Sequence, residues 1–334
     1  MKALLQLFRV GCFIFVVAAG LLLWWTYQAV SPAATEPVDP VIVEIPPGAT
    51  GADVALLLES KGVIRSAFAL RMLMRISERG GEIRSGHYRV DPNDSPVVVL
   101  KSLVEGRPLT RRFTVPEGYT LAQIAQVLAG DGLADEAEFL ALARTKGRSF
   151  DPSLPDNLEG YLFPDTYEVA WEADERAIIG QMLARFREVA TPMWEQHRKK
   201  STLDLNRTVI LASLVEREAS VPGERPLIAG VYLNRLKKGM LLQCDATIQY
   251  ALGQPKKVLT YADLELESPY NTYKHPDLPP GPIANPGRAS LEAAMNPEPS
   301  QYLFYVRNDV KNDGSHVFSR DYAEHQDAID RVQR

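Results

Sequence analysis

The run Val10–Tyr27 contains no charged residue. As a helix it would rise about 27 Å, close to the thickness of a bilayer's hydrocarbon core. Lys2 and Arg9 precede it, and no other Lys or Arg follows until Lys61. Trp24, Trp25 and Tyr27 lie where an interfacial aromatic belt would sit. This pattern predicts a single membrane crossing at residues 10–28. Residues 1–9 would be a cytoplasmic tail, and everything past about residue 30 would lie on the outer face. The alternative is a cleaved signal peptide, whose apolar region usually runs about 7–15 residues, shorter than this one. Cys12 lies at the start of the apolar run and not after it, so it is badly placed for a lipoprotein cleavage signal.

The rest of the chain must fold without cross-links. Only Cys12 and Cys244 occur, one in the apolar segment and one far beyond it, so a cysteine-stapled scaffold is excluded. A chain of 334 residues with 46% hydrophobic and 24% charged residues has the composition of about two or three compact units. A net charge of -5 provides no overall positive field to recruit nucleic acid. Residues 29–40, rich in Pro, Ala and Thr, read as a tether.

A weak repeat follows at a constant offset of 70. Pro46, Gly48, Thr50, Ala55, Leu58 and Gly62 recur as Pro116, Gly118, Thr120, Ala125, Leu128 and Gly132. Each copy reads as a short strand (Val41–Ile45; Arg112–Val115), a Pro-x-Gly turn, a capped helix closed by glycine, and a second helix carrying Phe68 or Phe139. Such strand-helix-helix units resemble the LysM modules that bind wall glycan. A packing or spacer module without ligand is the other reading. The region 41–149, with copies near 41–90 and 112–145, is thus set apart from 150–334. The later region reads as helices around 174–190, 207–220 and 226–238, and a helix from a Ser290 cap to Met295. Strands near 303–306 and 316–318 and a last helix near 321–332 complete it. Between them 268-SPYNTYKHPDLPPGPIANPG-287 reads as a long ordered loop. The fold class expected is α+β: a transmembrane helix, LysM-like modules and a mixed α/β catalytic domain.

The chemistry has to come from carboxylates. The chain holds no S-x-x-K, G-x-S-x-G, H-E-x-x-H, P-loop or G-x-G-x-x-G motif, and its five histidines show no metal-ligand spacing. In 210-ILASLVEREAS-220, Leu211, Leu214, Val215 and Glu218 share one helical face, while Glu216 lies about 200° away. Glutamate at a helix C-terminus opposes the macrodipole. A surface helix end is the plain reading of both acids. Against apolar neighbours, however, Glu218 would have its charged form disfavoured and its pKa raised, as a general acid needs.

The segments LEGYLFPDTYEV, ASLVEREAS, GVYLNRLKKGMLLQCDATIQYALG, SPYNTYKHPDLPPGPIANPG and the DGSHVFS ending together resemble the YceG family, the MltG-type endolytic murein lytic transglycosylases. The resemblance covers nearly the whole chain and implies that Glu218, the second glutamate of E-R-E, is catalytic. It implies cleavage of the β-1,4 bond between N-acetylmuramic acid and N-acetylglucosamine in nascent peptidoglycan. No water is consumed, a 1,6-anhydro end forms, and strand elongation terminates. It further implies an inner-membrane protein with its bulk in the periplasm, penicillin-binding proteins and glycan polymerases as partners, and no cofactor. Candidate substrate-binding residues are Asn234, Gln243, Asp245, Thr247, Tyr270, Asn271, Thr272 and Tyr273, with 243–247 read as an extended segment turning Gln243, Asp245 and Thr247 the same way. Glu159 and Asp165 are further acids, and His316 reads as structural. Cys244 stands where relatives often have Thr, and Asp277 where Gly is usual before Leu-Pro-Pro. A two-carboxylate muramidase and a non-enzymatic wall-binding scaffold are the rival readings.

Overall fold

The computed structural model describes residues 2–254, 256 and 258–332, with no side-chain description for residues 2–8 and 29. The chain is mixed helix and sheet and divides into two compact units, residues 1–111 with 168–172, and 112–167 with 173–334.

The first unit begins with helix α1 (Lys2–Val30). Its stretch Arg9–Gln28 is long and apolar enough to cross a membrane. Strand β1 (Val41–Ile45), helices α2 (Gly51–Ser60) and α3 (Ala67–Ser77), strand β2 (Gly86–Val90) and helix α4 (Pro96–Glu105) follow. β1 and β2 are antiparallel, Val41 facing Val90 and Ile45 facing Gly86. The strands alternate faces, so Val43, Ile45, Tyr88 and Val90 turn inward onto Val54, Leu58, Leu70 and Leu103 of the helices. Thr50 and Asp53 form a capping box that starts α2.

Strand β3 (Thr110–Thr114) pairs with β4 (Thr166–Ala170), and residues of both strands are shared out between the two units. Between them run α5 (Leu121–Gly130), α6 (Glu136–Thr145) and α7 (Gly147–Phe150). After them come α8 (Glu175–His197), α9 (Leu205–Glu218), a 3-10 turn at Pro222–Glu224, α10 (Arg225–Lys237), α11 (Asp245–Leu252), α12 (Tyr261–Leu264), α13 (Arg288–Met295), the hairpin β5 (Phe304–Arg307) and β6 (His316–Ser319), and α14 (Tyr322–Val332). α9 lies at the centre of the second unit, packed against α10, α11 and α13.

The offset of 70 is visible in the backbone. Gly48 and Gly118 take φ of 79° and 77°, and Gly62 and Gly132 take 68° and 64°. These are left-handed values that favour glycine, so each copy uses its glycines for the same turn and the same helix stop. The packing of the copies differs. The first closes on its own strand β2. The second shares its contacts with the second unit, so residues 112–149 group with the chain beyond 150 and not with 41–111. α8 packs on its second helix, α6, whose Phe139 is fully buried. Two local expectations are corrected. Residues 245–252 form a helix in place of an extended segment, started by Asp245 in the first turn and stopped by Gly253 at φ 72°. Ser290 lies inside α13, whose cap is Gly287, and its hydroxyl accepts from Arg225 Nε at 3.1 Å.

Candidate active site

Asp204 caps α9 by accepting from the backbone N–H of Arg207 at 2.8 Å. From Thr208 to Val215 every side chain is buried. The helix ends at Glu218, because Ala219 is extended. Glu218 is half-buried, and both carboxyl oxygens are held. The Cys244 thiol, just before α11, donates to Oε1 at 3.2 Å, and the Tyr305 hydroxyl of β5 donates to Oε2 at 3.1 Å. With its proton given to Glu218, Tyr305 accepts that of Tyr232, from α10, at 2.8 Å. Burial pushes the Glu218 carboxyl above its ordinary range, the neighbouring Asp245 charge adds to the rise, and the Cys244 and Tyr305 bonds pull against it. His316 stands edge-on to the Tyr305 ring at 5.2 Å between centres, and its Nδ1 is 2.7 Å from Glu224.

The other members of E-R-E point away. Glu216 Oε2 accepts from the backbone N–H of Gly287 at 2.9 Å, and Arg225 lies 3.6 Å from Oε1. Arg217 donates to the Gly118 carbonyl at 3.2 Å. Successive residues on a helix are turned by about 100°, so two acids two positions apart serve opposite sides. Glu216 and Arg217 tie the helix end to the loop before α13 and to the turn of the second repeat copy.

Of the candidate binding residues, Asp245 and Tyr273 lie close enough to Glu218 to act on it electrostatically, and Gln243 directly precedes Cys244, which bonds it. Gln243 and Asp245 are exposed, and the Tyr273 hydroxyl donates to Asp245 at 2.5 Å. Gln243 adopts φ 52°, and its N–H donates to the Thr272 carbonyl at 3.1 Å. The remaining candidates hold the protein together. Asn234 donates to the Ser300 and Tyr302 carbonyls at 3.0 and 2.9 Å. Fully buried Asn271 donates to the Leu264 and Leu266 carbonyls at 2.8 Å each. Thr272 accepts from the Cys244 N–H at 3.0 Å and meets Thr247 at 3.0 Å, both threonines being buried. Tyr270 packs on Tyr250, ring centres 5.0 Å apart. Asn234, Asn271, Thr247 and Thr272 fix the backbone around Cys244 and the loop, because their polar atoms face carbonyls and amides of the chain.

Sequence reasoning missed Tyr232 and Tyr305, and pointed to Arg235 only as a neighbour of Asn234 in the groove. Arg235 donates to the Leu303 and Leu242 carbonyls at 2.6 and 2.9 Å and reaches Gln243 Oε1 at 3.4 Å, so it binds β5 to the segment before α11. A Tyr inside an apolar helix or strand carries no local sign of its partner. The role of Glu159 was missed as well. It is buried, accepts from Leu121 N–H at 3.0 Å at the start of α5 and from Asn285 Nδ2 at 3.0 Å, and receives the Tyr250 hydroxyl at 3.2 Å. Burial pushes its carboxyl up to about 8, against these bonds. Among the described residues, only Glu44, His87 and Glu172 of the first unit bring three possible metal-ligand atoms within 4.8 Å of one another, and none belongs to the Glu218 site.

A half-buried carboxylic acid with a raised pKa, steadied at both oxygens beside an exposed polar strip, is the arrangement of a general acid and base. The chain belongs to the YceG-like family, whose model matches residues 43–331. It is 32% identical over 312 residues to an endolytic murein transglycosylase of Bacillus subtilis, covering 87% of this chain and 84% of that one. It is also 32% identical over 298 residues to an endolytic murein transglycosylase of Streptococcus pneumoniae, of which it spans about half (54%, against 80% of this chain). A crystal structure of a yceG-like protein from Listeria monocytogenes superposes with a TM-score of 0.59 at 33% identity, covering 86% of this chain and 99% of that one.

Proposed function

We propose that this chain is an endolytic lytic transglycosylase that cuts peptidoglycan strands. The observation that carries the reading is Glu218, a carboxyl whose pKa burial raises and which Cys244 and Tyr305 aim, in a member of a family whose curated relatives bear that name. Glu218 protonates the glycosidic oxygen between N-acetylmuramic acid and N-acetylglucosamine. The resulting carboxylate then takes the proton of the muramic C6 hydroxyl as that oxygen closes on C1. One carboxyl suffices, because the nucleophile comes from the substrate. Hydrolytic glycosidases usually need two. Gln243, Asp245 and Tyr273 line the sugar-binding strip. The repeat copies are LysM-like modules, the first free to contact glycan and the second built into the catalytic unit.

α1 anchors the chain in the inner membrane with the rest on the periplasmic side, where nascent strands emerge and where penicillin-binding proteins and glycan polymerases work. Contacts of the end of α1 with the first unit, such as the hydrogen bond from Arg65 to the Tyr27 hydroxyl, support an uncleaved helix. Digestion of purified peptidoglycan followed by mass spectrometry tests the reaction. Anhydro-muramic ends are expected. Reducing ends that have gained water would replace the lyase by a muramidase, and strands left uncut would leave a scaffold.

Tyr305→Phe gives a test of the acid itself. The hydroxyl favours the charged carboxylate, so its loss raises the Glu218 pKa further. An acid works only while protonated. The alkaline limb of the kcat–pH profile is therefore expected to move to higher pH. A limb that stays in place or moves down would separate Tyr305 from the acid.

A further inference from the structure

The end of α1 is part of the first folded unit. Arg65 donates through Nη1 to the Tyr27 hydroxyl at 2.8 Å and through Nε to the Pro32 carbonyl at 2.6 Å, and its guanidinium lies 5.3 Å from the centre of the Tyr27 ring. The Ala34 N–H donates to the Pro92 carbonyl at 3.0 Å. Trp25 and Gln28 are half-buried, and α1 packs against α3 and α4. Arg65 stands just before α3 and Pro92 just before α4, so the first turns of both helices are held at the place where α1 leaves its apolar stretch.

Those first turns expose large apolar side chains. Phe68 is 58% exposed, Val97 48% and Val98 45%. Arg71 and Arg75 share the helical face of Phe68, at i+3 and i+7, and have no ion-pair partner among the described residues. Lys101 shares the face of Val97 at i+4. Apolar side chains flanked by cationic ones, beside the exit of a membrane helix, match the boundary between acyl chains and phosphates.

We propose that the first unit is seated on the lipid surface itself, with Phe68, Val97 and Val98 in the interface and Arg71, Arg75 and Lys101 meeting lipid phosphates. This rests on reading α1 as a membrane span. The seat would hold the unit at a fixed height and orientation, in place of a freely swinging tether.

Site-directed nitroxide labelling of the full chain in phosphatidylethanolamine–phosphatidylglycerol nanodiscs separates the two ideas. Native Cys12 reports on the span, and Cys244, 2% exposed, does not compete for label. A second protein, Cys12→Ser with Val97→Cys, reports on the seat, and Cys12→Ser with Phe68→Cys repeats it from α3. Each is used only if it melts with the wild type. At Cys12, Val97→Cys and Phe68→Cys, relaxation by oxygen is expected to exceed relaxation by a water-soluble nickel chelate. If oxygen dominates at Cys12 but the chelate dominates at both seat positions, the seat is wrong while the anchor stands, and the exposed apolar patch would be left for a protein partner. If the chelate dominates at Cys12, the anchor reading falls and the seat with it.

Discussion

Glu218→Gln is expected to abolish glycan cleavage, lowering turnover by about 10²–10⁴-fold with the protein still folded. Glutamine keeps the size of the side chain and an oxygen to accept from Tyr305. It has no proton at the acid's pKa to give to a leaving oxygen and cannot take one back. Glu216→Gln, two residues earlier, is the matched comparison. Its oxygen can still accept from Gly287 N–H, and only the attraction to Arg225 at 3.6 Å is weakened. Turnover within about a factor of ten of wild type is expected, which corresponds to no more than about 1.4 kcal/mol at the transition state. Anhydro ends counted by mass spectrometry, together with thermal melting, decide the matter. Equal losses in the two variants would mean that the helix end acts only as a structural unit.

Asn285→Ala should produce the largest loss of stability. The side chain is fully buried. Its Oδ1 accepts from Leu162 N–H at 2.9 Å, and its Nδ2 donates to the Tyr119 carbonyl at 2.9 Å and to Glu159 at 3.0 Å. Alanine leaves buried polar groups without partners, each worth about 1–3 kcal/mol. A total of about 3–6 kcal/mol is expected, read as a fall in Tm of roughly 6–20 °C. Asn285→Asp is the sharper variant. It keeps the acceptor for Leu162, loses both donors, and places a second carboxyl against Glu159. Since Glu159 is pushed up to about 8, raising the pH from 6 to 9 ionises it and should widen the gap between Asn285→Asp and wild type. A loss below about 1 kcal/mol in both variants would show that the contacts around Asn285 are replaceable.

The two variants differ in how far the sequence pointed to them. The division of labour between Glu216 and Glu218 follows from the turn per residue of a helix and from the run of apolar neighbours, both local properties. The capped helix starts and the paired glycines of the repeat are local in the same sense: Thr120 takes its partner three residues away, and Gly118 and Gly132 set only their own backbone. Asn285 satisfies groups at 119, 159 and 162, and Asn271 and Asn234 hold carbonyls of chain segments that no periodicity links to them. An asparagine in a Pro-Gly loop looks like a turn residue or a sugar ligand until its partners are placed. For the same reason the second repeat copy was grouped with the first by resemblance, although its buried side chains belong with the later helices. Tyr305 sits in a strand of four residues, too short for its burial pattern to reveal which side faces Glu218.

The two hydrogen bonds on Glu218 also have an entropic meaning. A free glutamate side chain samples many rotamers, and fixing one costs roughly 1.5–2 kcal/mol. Here Cys244 and Tyr305 fix both oxygens before any substrate arrives, and the buried body of α9 fixes the backbone beneath them. That ordering happens once, when the chain folds, and is not repeated at each turnover. A long polymer that must be threaded, bent and cut in its interior brings many loose degrees of freedom of its own. An acid with almost none leaves the whole of the conformational search to the glycan.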